Sequence, residues 1–265
     1  MKLTMRFFLL TSIGLLSYLA FLIAYFPAVQ AYGLVADHVP GQAYGLSGTI
    51  WSGQAAVVEV EGQRLEAVQW RLLPAMLLSG RLGSELQARL PDGRAQGLVS
   101  IDRNQRIEAS DVRFELPTAR LVELSGAQVP GRIGGQFDVS MRELAIENGQ
   151  LSRADGIISW HQASVTLGRT LPLGSLNLRL QPAAEGHIEG ILISQGGVLD
   201  TSGELQIRPD GGFALQMQTS ARADSADNDV LPVLHLLGIP ADGSPIRSRL
   251  TGFLDGRDLL LEEVR

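Results

Sequence analysis

The 265 residues carry a net charge of −6 and no cysteine, with 45% hydrophobic and 19% charged side chains. Such a chain buries a core, and it excludes a disordered polar polymer, a disulfide framework and cysteine-based catalysis or metal binding. An acidic balance argues against nucleic acid, whose phosphates need clustered Lys and Arg. Lys2 is the sole lysine, so no Schiff-base or P-loop lysine lies beyond it.

Residues Phe7–Ala36 contain no charged side chain. The most apolar part, Phe7 to Phe26, is 20 residues long. As a helix rising about 1.5 Å per residue it reaches ~30 Å, the thickness of a bilayer's hydrocarbon. Its apolar positions include Phe7, Phe8, Leu9, Leu10, Leu15, Leu16, Leu19, Phe21, Leu22, Ile23, Tyr25 and Phe26. Lys2 and Arg6 precede it, which places the N-terminus in the cytoplasm and the rest of the chain outside, in the periplasm. A cleaved signal peptide is the competing reading, because Val29-Gln30-Ala31 resembles a cleavage site. Signal cores run to ~7–15 residues, so an uncleaved single-pass inner-membrane anchor over 1–31 is expected. The body, 32–265, then holds 20 arginines against 28 acidic residues.

Beyond residue 45 apolar and polar side chains alternate with period two. Leu82, Leu86, Ala88 and Leu90 share a face opposite Glu85, Gln87 and Arg89; Leu176-Asn177-Leu178-Arg179-Leu180 and Phe213, Leu215, Met217 repeat the pattern. Turn sequences end the runs: Pro91-Asp92-Gly93, Glu147-Asn148-Gly149, Pro209-Asp210-Gly211 and Asp255-Gly256. Short strands joined by tight turns form an antiparallel meander, apolar on one face. Between Ile107 and Phe114 the apolar phase shifts from odd to even positions, which predicts a bulge near Ser110–Asp111. Two segments depart from the alternation. Pro117–Ser125 and Asp229–Leu237, each followed by glycine, predict short helices packed on the sheet. A weak 90-residue repeat relates Trp70 to Trp160, and divides the body into two meanders, 45–145 and 146–265. The strand after Gly48 and the last strand, Leu259–Val264, are expected at sheet edges, open to a partner strand.

Chemistry is sparse. His38, His161, His187 and His235 have no metal-ligand spacing, and the chain lacks HExxH, GxSxG, GxGxxG and P-loop motifs. Asp224, Asp227 and Asp229 match no calcium loop. Glu61 with Glu66, and Glu262 with Glu263, are the candidate carboxylate pairs, but neighbours on a strand face opposite sides. No catalytic, cofactor or metal site is expected.

The remaining signal is an ordered set of glycines, tryptophans and leucines: Gly48, Trp51, Gly53, Trp70, Pro74 and Gly80, then Trp160, Gly174, Gly197, Gly203, Leu237 and Gly238. Behind an apolar N-terminus, this series resembles the type II secretion system protein N family over essentially the whole chain. The resemblance implies a mainly β fold, related to AsmA-like proteins. In it a transmembrane helix precedes a curved, twisted antiparallel sheet (a trough or half-barrel) with two short helices. It also implies a non-enzymatic accessory component of the secretion machine, in contact with the outer-membrane secretin or inner-membrane platform proteins. The alternative is a periplasmic module that binds or handles lipid in the trough.

Overall fold

The computed structural model describes residues 2–36, 41–60, 63–90, 92–125, 131–222, 239–240 and 242–264. The chain divides into two compact units, Met1–Pro91 and Asp92–Arg265.

The first unit opens with helices α1 (Lys2–Ala24) and α2 (Ala28–Val35). Strands β1 (Gln42–Tyr44), β2 (Ser47–Gly48), β3 (Ser52–Val60) and β4 (Gln63–Leu72) follow, then helix α3 (Pro74–Leu77) and strand β5 (Leu82–Leu90). α1 stops two residues short of Phe26, where Pro27 forces extended backbone ahead of it. Its side chains from Ile13 onward are exposed, among them Leu15, Leu16, Leu19, Phe21, Leu22 and Ile23. Among the described residues no helix is long and apolar enough to cross a membrane. The side chains of Phe7, Phe8, Leu9 and Leu10, where the expected span begins, lie outside the description.

β3 pairs with β4 on one side, and with both β1 and β2 on the other. This corrects the expectation of an open edge after Gly48. Residues 42–48 turn back alongside β3 and occupy its outer hydrogen-bonding groups.

The second unit is an antiparallel meander in chain order. Its strands are β6 (Gly93–Ile101), β7 (Ile107–Pro117), β8 (Arg132–Glu147), β9 (Gln150–Leu167), β10 (Arg169–Pro182), β11 (Ile188–Gln195), β12 (Leu199–Ile207), β13 (Gly212–Ala221), β14 (Ile246–Phe253) and β15 (Leu260–Val264). Helix α4 (Thr118–Ser125) sits where PTARLVELS predicts one, except that β7 keeps Pro117. Two helices were not expected, α2 and α3. The expected helix at 229–237 lies outside the described residues, as do Leu237 and Gly238.

Register explains the two-faced character of this unit. One cross-strand row runs Val112, Met141, Gly156, Leu180, Gly190, Leu205, Leu215, Leu250, Leu261. The next runs Arg113, Ser140, Ile157, Arg179, Ile191, Glu204, Gln216, Arg249, Glu262 in the same strands. A one-residue slip of any strand would exchange the rows, so burial of the apolar row pins the register. That row's centre belongs to a core of Met141, Ala154, Leu180, Ile188 and Ile207. A second core, Leu171, Val198, Leu199 and Ile239, closes the opposite strand ends.

The bulge expected near Ser110–Asp111 is present. Leu98 opposes Ser110 and Gln96 opposes Arg113, so Gly97 faces two residues, and Asp111 adopts φ +51°. Two further bulges carry positive-φ residues of the same kind, at Ala67 in β4 and Gln162 in β9.

Candidate functional site

The glycine–tryptophan series gathers in two places, one in each unit. In the first, Gly48 (φ +88°) opens a tight corner that Thr49 closes, its N–H donating to the Ser52 carbonyl over 2.9 Å. A side chain at Gly48 would collide with the Ser52–Gly53 backbone. Trp51 follows, and its indole N–H donates to the Ile23 carbonyl over 2.9 Å. That carbonyl is in the last turn of α1, where it also accepts the Phe26 N–H over 3.4 Å. The Ile50 N–H donates to the Phe26 carbonyl (3.0 Å), and Pro27 bridges to Thr49. The C-terminal end of α1 and the two residues before α2 are thus fastened to the first hairpin by one indole bond and one backbone bridge.

Trp70 stands opposite Gly53 in the β3–β4 pair, and its indole N–H donates to the Ile50 carbonyl over 3.1 Å. Pro74 starts α3, its ring pre-set for the first helical turn. Gly80 (φ +76°) ends it, with its N–H on the Leu77 carbonyl and the Arg81 N–H on the Met76 carbonyl, both 3.0 Å.

In the second unit Trp160 donates to the Gly134 carbonyl over 3.0 Å and packs against Phe137, directly opposite it, with ring centroids 6.5 Å apart. Gly174 (φ +81°) and Gly197 (φ +72°) pass so closely that a side chain on either would enter the other's backbone region. Gly203 lies in the apolar face of β12 beside Met217. All these residues shape corners and close backbone approaches; none aims a reactive group at a cavity.

The surface hollows mix polar and apolar side chains, and that of the first unit is the more polar. One of about 340 Å³ in the first unit is lined by Ser47, Ser52, Gln54, Gln69, Arg71 and Glu85. One of about 660 Å³ in the second lies among Ile191, Ile193, Ser202, Glu204, Gln218 and Arg247. The carboxylates with shifted protonation are turn residues. Asp210 is held below the ordinary carboxylate value first by the Gly212 N–H and then by Arg208, and Asp255 first by the Arg257 N–H.

Of the histidines, His161 is exposed on β9 and His187 contacts the Ala184 carbonyl (3.2 Å) beside a 3-10 turn at Ala184–Gly186. His38, His235, Glu61 and the Asp224–Asp229 cluster lie outside the described residues. Glu66 pairs with Arg64 (3.6 Å), and Glu262 and Glu263 are successive positions of β15. Among the described residues no group of three or more acidic or histidine side chains could hold a metal.

The profile of the family described as "Type II secretion system (T2SS), protein N" matches residues 42–247. The chain is 26% identical over 219 residues to type II secretion system protein N of Aeromonas hydrophila, covering 78% of this chain and 83% of that protein. It is 26% identical over 179 residues to the protein of the same name from Vibrio cholerae serotype O1, covering 65% and 69%. No solved structure matches significantly. The profile spans the β-strands from β1 into β14, and on that match the chain belongs to the type II secretion system protein N family.

Proposed function

We propose that this protein is a non-enzymatic component of the type II secretion machine, held in the inner membrane by α1, with its β-rich body in the periplasm. The family match over residues 42–247 carries the secretion role. Anchoring is supported by the uncharged run Phe7–Ala36 behind Lys2 and Arg6, and by the exposed apolar side chains along α1. A helix apolar on all sides is stable only inside a protein or a bilayer. The glycine–tryptophan series acts as framework, and other secretion components, the secretin or the platform proteins, dock on exposed strand edges. Among the described residues β15 pairs only with β14, and it exposes Leu260 and Leu261.

A duplicated meander, 45–145 and 146–265, belongs to the same reading. Trp70 and Trp160 each donate an indole N–H to a backbone carbonyl near the start of the preceding strand. The alternative, a lipid-handling module, is favoured by the exposed Ile191 and Ile193 beside the 660 Å³ hollow. It is opposed by the complete burial of Leu116, Leu171 and Ile188 against the chain's own side chains.

Deleting the chain tests the proposal. Secreted enzymes should fold normally in the periplasm yet accumulate there. Normal export in a strain without a paralogue overturns the secretion role, and lipid retained in native mass spectrometry of the detergent-free body favours the alternative.

A further inference from the structure

The first unit exposes an apolar loop whose two outermost leucines belong to neither the anchor nor the framework series. Residues Leu72–Gly80 contain no charge and are bracketed by Arg71 and Arg81. Within them Leu78 is 93% exposed and Leu77 45%. The loop is rigidly built. Leu73 N–H donates to the Gly83 carbonyl (2.8 Å), Met76 N–H to the Leu73 carbonyl (3.0 Å), and Gly80 closes the turn. Met76 points inward, its sulfur filling the space a side chain at Gly83 would take. Two adjacent leucines held outward by such a turn keep apolar surface in water that a cover would remove.

Its place in the fold says what covers it. β4 ends at Leu72, whose N–H donates to the Trp51 carbonyl over 2.7 Å. The indole of the same Trp51 holds the Ile23 carbonyl at the outer end of α1. α3 therefore leaves the sheet from the end at which α1 joins it. If α1 enters a bilayer, this end of the unit faces the lipid surface, with Leu77 and Leu78 among its exposed apolar groups and the charge of Arg71 offset by Glu85 3.6 Å away.

We infer that the α3 loop is a lipid-inserting foot. Leu77 and Leu78 enter the outer headgroup–acyl boundary beside the anchor, and they fix how the first unit stands on the membrane. The inference rests on the reading of α1 as a membrane span. The ligand is the bilayer surface, recognised by apolar burial, with little dependence on lipid charge.

The absence of native cysteine supplies the test. Single variants Leu77→Cys, Leu78→Cys, Tyr18→Cys and Glu59→Cys of the full chain are labelled with an environment-sensitive fluorophore. They are reconstituted alone into phosphatidylcholine vesicles carrying spin labels near the headgroup or deep in the acyl chain. Labels at Leu77 and Leu78 should shift to the blue and lose most of their emission to the shallow quencher. Tyr18 should respond to the deep one. Glu59, near the far end of β3 and ~23 Å along the strand from Ser52, should respond to neither. Quenching at Tyr18 without quenching at Leu77 and Leu78 overturns the foot and leaves the span. Quenching at Leu78 without Tyr18 overturns the span and keeps a surface-bound foot. No quenching at any site overturns both, as would quenching that appears only after a partner protein is added.

Discussion

The indole of Trp70 occupies the space that a side chain at Gly53 would need: a β-carbon there would overlap Cζ2 of the ring and lie 2.7 Å from the Ser47 carbonyl oxygen. The two residues are direct partners across β3 and β4, so the aromatic ring covers backbone that glycine leaves bare. Gly53→Ala must displace the ring and stretch its bond to the Ile50 carbonyl. We expect a loss of about 1–3 kcal/mol, the range for overpacking a filled site. Gln54→Ala, on the exposed face one residue on, should stay within about 0.5 kcal/mol. Urea unfolding followed by tryptophan fluorescence separates the two, and equal midpoints would refute the packing argument.

The bulge at Asp111 allows a prediction in which two substitutions differ in sign of strain. A left-handed conformation costs an L-residue roughly 1–2 kcal/mol, least for Gly, Asn and Asp. Asp111 is exposed, so replacing it leaves packing unchanged. Asp111→Val should destabilise by about 1–2 kcal/mol because a branched side chain crowds that backbone, while Asp111→Gly should be close to neutral. A valine variant as stable as the parent in denaturant titrations would remove the strain account.

Bulges also show how far this fold is legible in its sequence. The shift from Ile107 and Ala109 to Val112 and Phe114 exposes the bulge directly, since one inserted residue flips the apolar phase. The spacing Leu65, Val68, Trp70 carries the same signature of three then two, and so does Trp160, Ala163, Val165. Those bulges, at Ala67 and Gln162, are equally readable once the glycines around them are set aside. Hairpin turns such as Asn148-Gly149 are local and legible, with φ +52° and +78° as such turns require. The doubling back of residues 42–48 onto β3 is not legible, because a three-residue and a two-residue strand are too short to show a period. Nor is the bond from Trp51 to Ile23, which joins residues 28 apart through a backbone carbonyl. The short helices divide likewise. α4 announces itself by Pro117 and Gly126, whereas α2 hides inside an apolar run that reads as the exit of the anchor.

Burial contrasts two isoleucines three residues apart. Ile188 is fully buried in the second unit's core, and Ile191 is 56% exposed on the opposite face. Ile188→Ala should cost about 2–5 kcal/mol, the transfer and cavity terms together. Ile191→Ala should cost less than about 0.5 kcal/mol. Thermal unfolding of the pair checks the face assignment of β11, and reversed magnitudes would mean that its register is shifted by one.

Acid stability should depend on the turn aspartates. Asp210 and Asp255 each accept a backbone N–H two residues ahead, at 2.9 Å and 3.1 Å, which holds both below the ordinary carboxylate value. A group whose folded value is depressed contributes stability above its unfolded value, about 3.9, and loses it as pH falls through the folded value. The contribution is therefore complete at neutral pH and fades only below about pH 4. Asp210→Asn should flatten the decline in unfolding midpoint between neutral and strongly acidic pH. An unchanged slope would show that the turn exerts no linkage.

Among the described residues β15 has a partner strand on one side alone, which makes a prediction about docking. Successive residues of an edge strand point their N–H groups alternately towards the neighbouring strand and away from it. Of Leu261→Pro and Glu262→Pro, one must therefore remove a bond to β14 and the other a donor facing outward. The first should lower the unfolding midpoint. The second should leave stability unchanged yet weaken recovery of other secretion components from detergent-solubilised membranes, because a strand added to the edge needs that donor. Proline variants that both retain full recovery would place docking elsewhere than β15. If recovery instead falls only with stability, the edge serves the fold and no partner strand.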